Sequence, residues 1–280
     1  MVLFLMIMAL ITTTLLSVFG GFITVWTDFW KVLLLFVGSY WAWFVIVVVF
    51  AFLVTLPINT KKPVKKSSKF YTWLFNFVNG WIIDTAGVKL KVTGLEKLDP
   101  NTSYLFVYNH RSNFDSQIVP RLFKKYKILL ISKPENLQIP IAGKCIHKVG
   151  YLAIDRENDR KAIETILKAA QFLKAGHSIG LCPEGTRNKT GLDLLPFKNG
   201  GFKVAQRAKA PIVIMTLNGT EKIHKNFPFK RSVVQLDILD VLPVEKVIAM
   251  TTQEIGDYAS SIMQQNINKY KHQQQVEEQQ

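Results

Sequence analysis

Two long runs free of charged side chains open the chain. Residues 2–27 carry none and residues 32–60 carry none; only the short stretch 28-DFWK-31 divides them. Each run is long enough to cross a hydrocarbon core of about 30 Å as a helix. The pattern predicts a membrane-embedded two-helix hairpin over residues 1–60, spanning or re-entrant, with the aromatic rings of the connection at the headgroup level. A cleaved signal peptide fits poorly. The first run lacks a basic leading segment, and a second apolar run follows at once.

Past residue 85 the periodicity changes to short strand-like and helix-like runs in alternation. Strands are expected at 88-VKLKV-92, 104-YLFVY-108, 127-KILLIS-132, 151-YLAI-154, 178-SIGLC-182, 211-PIVIMTL-217 and 233-VVQLDILDV-241. Helices are expected from near Asn113, over 159–175, over 201–208 and over 252–270. The second of these has Asn158 or Asp159 as its cap, Ile163, Ile166, Leu167, Ala170 and Leu173 as its apolar face, and Gly176 as its stop. Such alternation predicts an α/β fold: one catalytic domain over 85–271, its largely parallel sheet flanked by helices, preceded by the hairpin. The polar stretch 272–280 reads as a disordered tail.

Charge sharpens this picture. The net charge of +15 lies almost wholly beyond residue 60 and begins with 61-KKPVKKSSK-69, five lysines beside the second apolar run. The positive-inside rule makes that side cytoplasmic, and the cluster also attracts anionic lipid headgroups. The aromatic stretch 70-FYTWLFNFVNGWII-83 follows, so 61–84 reads as a basic and aromatic interfacial segment. Two cysteines, Cys145 and Cys182, predict no disulfide framework, and no zinc-ligand spacing joins them to the five histidines. Neither a dinucleotide nor a Walker-type glycine loop is present. A nucleic-acid partner would suit the basic pI of about 9.7 but not the membrane hairpin.

The candidate chemistry lies in two loops. His110 and Asp115 are five positions apart, which on one helix would set them about 140° apart, so they meet only if the chain turns between them. Strand 104–108, followed by the helix formers' caps Ser112 and Asn113, predicts strand, turn, helix, with Asp115 pointing back at His110. A histidine oriented by a carboxylate is a general base, although the same pair can be a purely structural hydrogen bond. The second loop, 183-PEGTRNKTG-191, also follows a strand, and ligands in such sheets bind beyond the strands' carboxyl ends. Gly185 permits close backbone approach, Arg187 offers a fork for phosphate, and Glu184 could orient that arginine or a hydroxyl.

NHRSNFD (109–115) with PEGTR (183–187) resembles the glycerolipid acyltransferase family, closest to its 1-acyl-sn-glycerol-3-phosphate acyltransferases. Two weaker blocks, GYLAIDR (150–156) and the run 210–219, extend the likeness. Cys182, Asn188 and Met215 depart from the family's usual aromatic, serine and proline-valine positions, which bears on acyl-chain and acceptor preference. The resemblance implies that His110, oriented by Asp115, deprotonates the sn-2 hydroxyl of a lysophosphatidate. That hydroxyl then attacks an acyl thioester directly, the donor being acyl-coenzyme A or acyl-acyl carrier protein. Backbone N–H groups of the Glu184, Gly185 and Thr186 loop are candidates for the oxyanion, with Arg187, Arg156 and Lys133, in that order, for the acceptor phosphate. Asn109, Ser112 and Pro183 complete the motifs. The absence of a G-x-S-x-G elbow agrees with direct attack, and no metal or other cofactor is implied. The expected setting is the cytoplasmic face of an anionic membrane, the bacterial cell membrane. The alternatives are another lysophospholipid as acceptor and a non-enzymatic membrane scaffold.

Overall fold

The computed structural model describes residues 1–21, 29–155, 158–189, 191 and 193–279. They form two compact units, Met1–Thr85 with Gln138–Val149, and Ala86–Leu137 with Gly150–Gln280.

The first unit is helical. α1 (Val2–Phe19) and α2 (Phe29–Thr55) pack together, joined by α3 (Lys69–Thr85) and α5 (Ala142–Val149). α1 buries Leu5, Ala9 and Thr13, a stripe of mostly small residues at four-residue spacing. Small residues of this kind let apolar helices approach closely where no water drives them together. A hydrogen bond from Trp43 Nε1 to Thr12 Oγ1 at 3.1 Å joins α2 to α1, and one from Trp81 Nε1 to Tyr40 Oη at 3.1 Å joins α3 to α2. The outward faces remain apolar: Leu3 is 71% and Phe19 83% exposed. An apolar surface this extensive needs a non-aqueous neighbour, and both helices are long and apolar enough to cross a membrane. α3 covers the aromatic segment, and its Leu74 packs with Ala51 and Cys145 around Tyr71 and Phe75.

The second unit is a seven-stranded sheet. Its strands are β1 (Val88–Thr93), β2 (Leu105–Val107), β3 (Leu129–Ser132), β4 (Leu152–Ala153), β5 (Ile179–Leu181), β6 (Ile212–Asn218) and β7 (Ser232–Leu242), in the order β1-β7-β6-β2-β5-β3-β4. All neighbours are parallel except β6 and β7, so β1 and β7 run against the other five. β2, β5 and β6 are buried at every residue, as central strands of a sheet covered on both faces are. β1 alternates instead, its lysines outward at the sheet's edge. The flanking helices are α4 (Asp115–Leu122), α6 (Asp159–Lys174), α7 (Lys203–Ala208), α8 (Ile223–Asn226), α9 (Val244–Ala249) and α10 (Thr252–Gln279).

Several elements differ from the sequence reading. α6 is capped by Asn158, whose side chain accepts from the Lys161 N–H, but it buries Ala169 and Phe172 while Ile163 and Leu167 face outward. Residues 272–279, expected to be a disordered tail, continue α10. Glutamine and glutamate are good helix formers, and Gln274 reaches back one turn to the Tyr270 hydroxyl at 2.8 Å. α4 begins at Asp115, with neither Ser112 nor Asn113 as its cap. Both side chains are used elsewhere, as the next section describes.

Candidate active site

The register of two neighbouring strands brings the loops together. Val107 of β2 pairs with Leu181 of β5, and the Tyr108 N–H continues the ladder to the Leu181 carbonyl at 3.2 Å. His110 and Glu184 therefore lie three residues beyond level positions on adjacent parallel strands. They meet: the His110 backbone N–H donates to Glu184 Oε1 at 2.8 Å.

The chain turns after β2 so that Asp115 faces back. Its Oδ2 accepts the backbone N–H groups of Arg111 at 2.7 Å and Ser112 at 2.8 Å, and lies 2.8 Å from His110 Nδ1. Backbone N–H groups only donate, so Oδ2 is an acceptor and the hydrogen of the pair belongs to Nδ1. That tautomer leaves Nε2 as the basic nitrogen, and the histidine side chain is 26% exposed while Asp115 is 1% exposed. Ser112 Oγ accepts from the Phe114 N–H at 3.3 Å, which bends the turn and explains why it does not cap the helix. On the other side of β2, Asn109 bonds the Leu217 backbone twice, donating to its carbonyl at 2.9 Å and accepting its N–H at 2.8 Å. The loop is thus pinned to β6 just ahead of His110.

Glu184 does something other than orient a hydroxyl or Arg187. It is buried, and its two oxygens accept the N–H groups of His110 and Leu195, the latter at 3.0 Å. It clamps the histidine loop to residue 195. Burial pushes its carboxyl above the ordinary value of 4.5, while those two backbone hydrogen bonds, and then the charges of His110 and Arg111, oppose the shift. The Gly185 N–H is donated to the Cys182 carbonyl at 3.1 Å, closing a turn that needs the positive φ of 72° at Gly185. It is therefore not directed at a ligand. Pro183 is buried and its carbonyl accepts the Lys198 N–H at 2.8 Å.

Arg187 donates from Nη1 to Asn113 Oδ1 at 2.9 Å, which joins the PEGTR loop to the histidine loop and keeps the guanidinium beside it. Asn188 N–H reaches the His110 carbonyl at 2.8 Å. Lys133 is exposed at the end of β3. β5 stands between β2 and β3, so at about 4.8 Å per strand Lys133 starts roughly 10 Å to the side of the histidine loop. Arg156 lies outside the described residues. Arg111, not singled out from sequence, and Asn113, expected there only as a helix cap, adjoin the site. Arg111, with its side chain 8% exposed, sets Nε 3.4 Å from Glu221 Oε2, and Asn113 holds Arg187. An arginine in so basic a chain gives no signal of burial until the turn at 110–115 is known.

With this geometry in place, comparison with known proteins is informative. The acyltransferase family model matches residues 89–218, which contain both loops. A chloroplastic 1-acyl-sn-glycerol-3-phosphate acyltransferase of Brassica napus is 35% identical over 48% of this chain and 39% of its own length. The 1-acyl-sn-glycerol-3-phosphate acyltransferase of Saccharomyces cerevisiae is 30% identical over 66% of this chain and 61% of its own. The chain thus spans less than two thirds of either relative. The crystal structure of the 1-acyl-sn-glycerophosphate acyltransferase of Thermotoga maritima shares the fold, with a TM-score of 0.57 at 18% identity over 96% of this chain and 95% of that one. Both motifs lie within residues 89–218, the region similar to the acyltransferase family, and the fold is the one that the Thermotoga maritima structure shows.

Proposed function

We propose that the chain transfers a fatty acyl group from a thioester of coenzyme A or acyl carrier protein to the sn-2 hydroxyl of 1-acyl-sn-glycerol-3-phosphate. The products are phosphatidic acid and the free thiol. The observation that carries the reading is the His110–Asp115 pair at 2.8 Å, with the histidine at the mouth of the loop and the aspartate buried behind it. The names of the relatives supply the acceptor.

In this mechanism His110 Nε2 takes the proton of the sn-2 hydroxyl as its oxygen attacks the thioester carbonyl. Asp115 holds the ring and stabilises the imidazolium; such a positioned base contributes roughly 10²–10⁴-fold. The tetrahedral oxyanion collapses, the C–S bond breaks, and the imidazolium returns its proton to the departing sulfur. The N–H groups of Thr186 and Arg187 are the proposed oxyanion donors, since Gly185 N–H is already committed. Arg187, presented by Asn113, meets the acceptor phosphate, with Lys133 and Arg156 as further cations. No resident cofactor takes part, because the thioester arrives activated. The acceptor's own acyl chain stays in the bilayer, to which the two apolar helices and the lysines of 61–69 anchor the chain on its cytoplasmic, anionic face.

The test is acyl transfer by the purified chain from a labelled thioester to lysophosphatidate, a second lysophospholipid and a neutral monoacylglycerol. Lysophosphatidate should be used best. Preference for the second lysophospholipid would reassign the acceptor, and no transfer to any of the three would contradict the reading.

A further inference from the structure

The clamp on His110 closes on residue 195, and residue 195 is held from far along the chain. Gln264 of α10 accepts the Leu194 N–H at Oε1, 2.9 Å, and donates from Nε2 to Asp193 Oδ1, also 2.9 Å. Asp193 Oδ1 is also 2.7 Å from Lys271 Nζ, and the Asp193 carbonyl accepts from Asn188 Nδ2. The next residue, Leu195, gives its N–H to Glu184 Oε2, whose other oxygen holds the His110 N–H. A continuous path of hydrogen bonds thus runs from α10 to the backbone of the histidine.

The far end of the path is rigid. Ile255, Ala259, Met263 and Ile267 are buried at helical spacing, and Asn266 Oδ1 accepts from Thr216 Oγ1 of β6 at 2.6 Å. Gln264 is next to the buried Met263, so its amide is presented from a helix that is itself fixed to the sheet. Both of its amide atoms are used on residues 193 and 194, as a loop-holding role requires. The Lys271–Asp193 pair adds less. Asp193 is 74% exposed, and exposed ion pairs contribute little.

We propose that Gln264 is a positioning residue for the acyl transfer. It holds residues 193–195 so that Leu195 completes the Glu184 clamp and the His110 imidazole stays aligned with the acceptor hydroxyl. This rests on the proposed role of His110 as base. Lys271 is a weaker second support. Without Gln264, Leu194 and Leu195 are free to shift, and Glu184 loses one of its two donors and with it the support that fixes the carboxylate holding the His110 N–H. Misplacement of a base by a fraction of an ångström lowers kcat while leaving substrate binding intact.

The experiment measures kcat and both KM values of the full-length chain. Gln264→Leu should lower kcat about tenfold with each KM within about twofold and an unchanged Tm, since it disturbs alignment rather than binding. Lys271→Ala should change kcat by no more than about twofold. Combined with Glu184→Gln, Gln264→Leu should add nothing to the slower single variant, because both act through one clamp. Gln264→Glu should lower kcat by repelling Asp193, and Asp193→Asn in the same chain should restore most of it by reversing donor and acceptor. Unchanged kcat in a folded Gln264→Leu, or effects that multiply with Glu184→Gln, would overturn the proposal. Should Gln264→Leu fail to fold, the Gln264→Glu and Asp193→Asn pair decides: no loss in the first, or no recovery in the second, overturns it. His110→Ala is run alongside. If it is inactive while Gln264→Leu is normal, only this inference fails; if it is active, the base assignment fails.

Discussion

At the scale of single residues, one carboxylate oxygen organises the histidine loop. Asp115 Oδ2 gathers the imidazole and two backbone N–H groups, so it fixes ring, tautomer and turn together. Asp115→Asn turns that acceptor into an amide that can satisfy only part of the set, and kcat should fall at least about 10²-fold with modest change in either KM. Arg187 is separable from this chemistry. Arg187→Lys keeps the charge but loses the fork, and charge-assisted bonds of roughly 1.5–3 kcal/mol predict a ten- to hundredfold rise in the acceptor KM with the donor KM little changed. A rise in the donor KM alone would place Arg187 on the thioester side and return the phosphate to Lys133 and Arg156. Glu184 supplies a pH test. Its native carboxyl lies above the ordinary 4.5, so the folded form binds its proton more tightly than the unfolded form. Its contribution to stability is full below the unfolded value and falls as pH rises through the native one. Urea titrations at a series of pH values should show the stability of the parent minus that of Glu184→Gln shrinking over that interval. A difference that grows with pH would mean that the two hydrogen bonds outweigh burial.

At the scale of elements, legibility follows burial. β2, β5 and β6 can be read from sequence because every residue in them is buried and most are apolar, whereas α5 cannot. Its eight residues, AGKCIHKV, mix lysine and histidine into a span too short to show a period. The turn that joins His110 to Asp115 is legible from spacing alone. The clamp role of Glu184 is not, because it depends on strands 2 and 5 being neighbours in register, which no local pattern states. The path through Gln264 is further still from view, joining positions about seventy residues apart. Glycine substitutions test the sheet packing. At Gly180 an added Cβ would stand 2.4 Å from Leu130 Cδ2, the end of a side chain that can move. At Gly219, with φ of 87°, it would stand 2.4 Å from the Val233 carbonyl oxygen, which cannot. Gly180→Ala should cost about 1–3 kcal/mol, as overpacking does, and Gly219→Ala should cost more because backbone strain is added. Denaturant midpoints of the two variants give the ranking, and the reverse order would contradict the packing.

At the scale of the whole molecule, the proposed membrane anchoring draws on the apolar helices and on the charge in two ways. α1 and α2 offer long apolar faces, while the five lysines of 61–69 offer attraction that salt screens within about 8 Å at physiological ionic strength. Removing residues 1–60 should therefore end integral association with anionic vesicles but leave weak, salt-sensitive binding; flotation undiminished at high salt would contradict the electrostatic part. The central claim is chemical, however, and is tested most directly at one atom. Turnover of the purified full-length chain with lysophosphatidate and a labelled acyl thioester should fall at least about 10²-fold in His110→Ala, with Tm and vesicle binding unchanged, the usual loss for a positioned general base. A folded His110→Ala protein that turns over at close to the parent rate would contradict it.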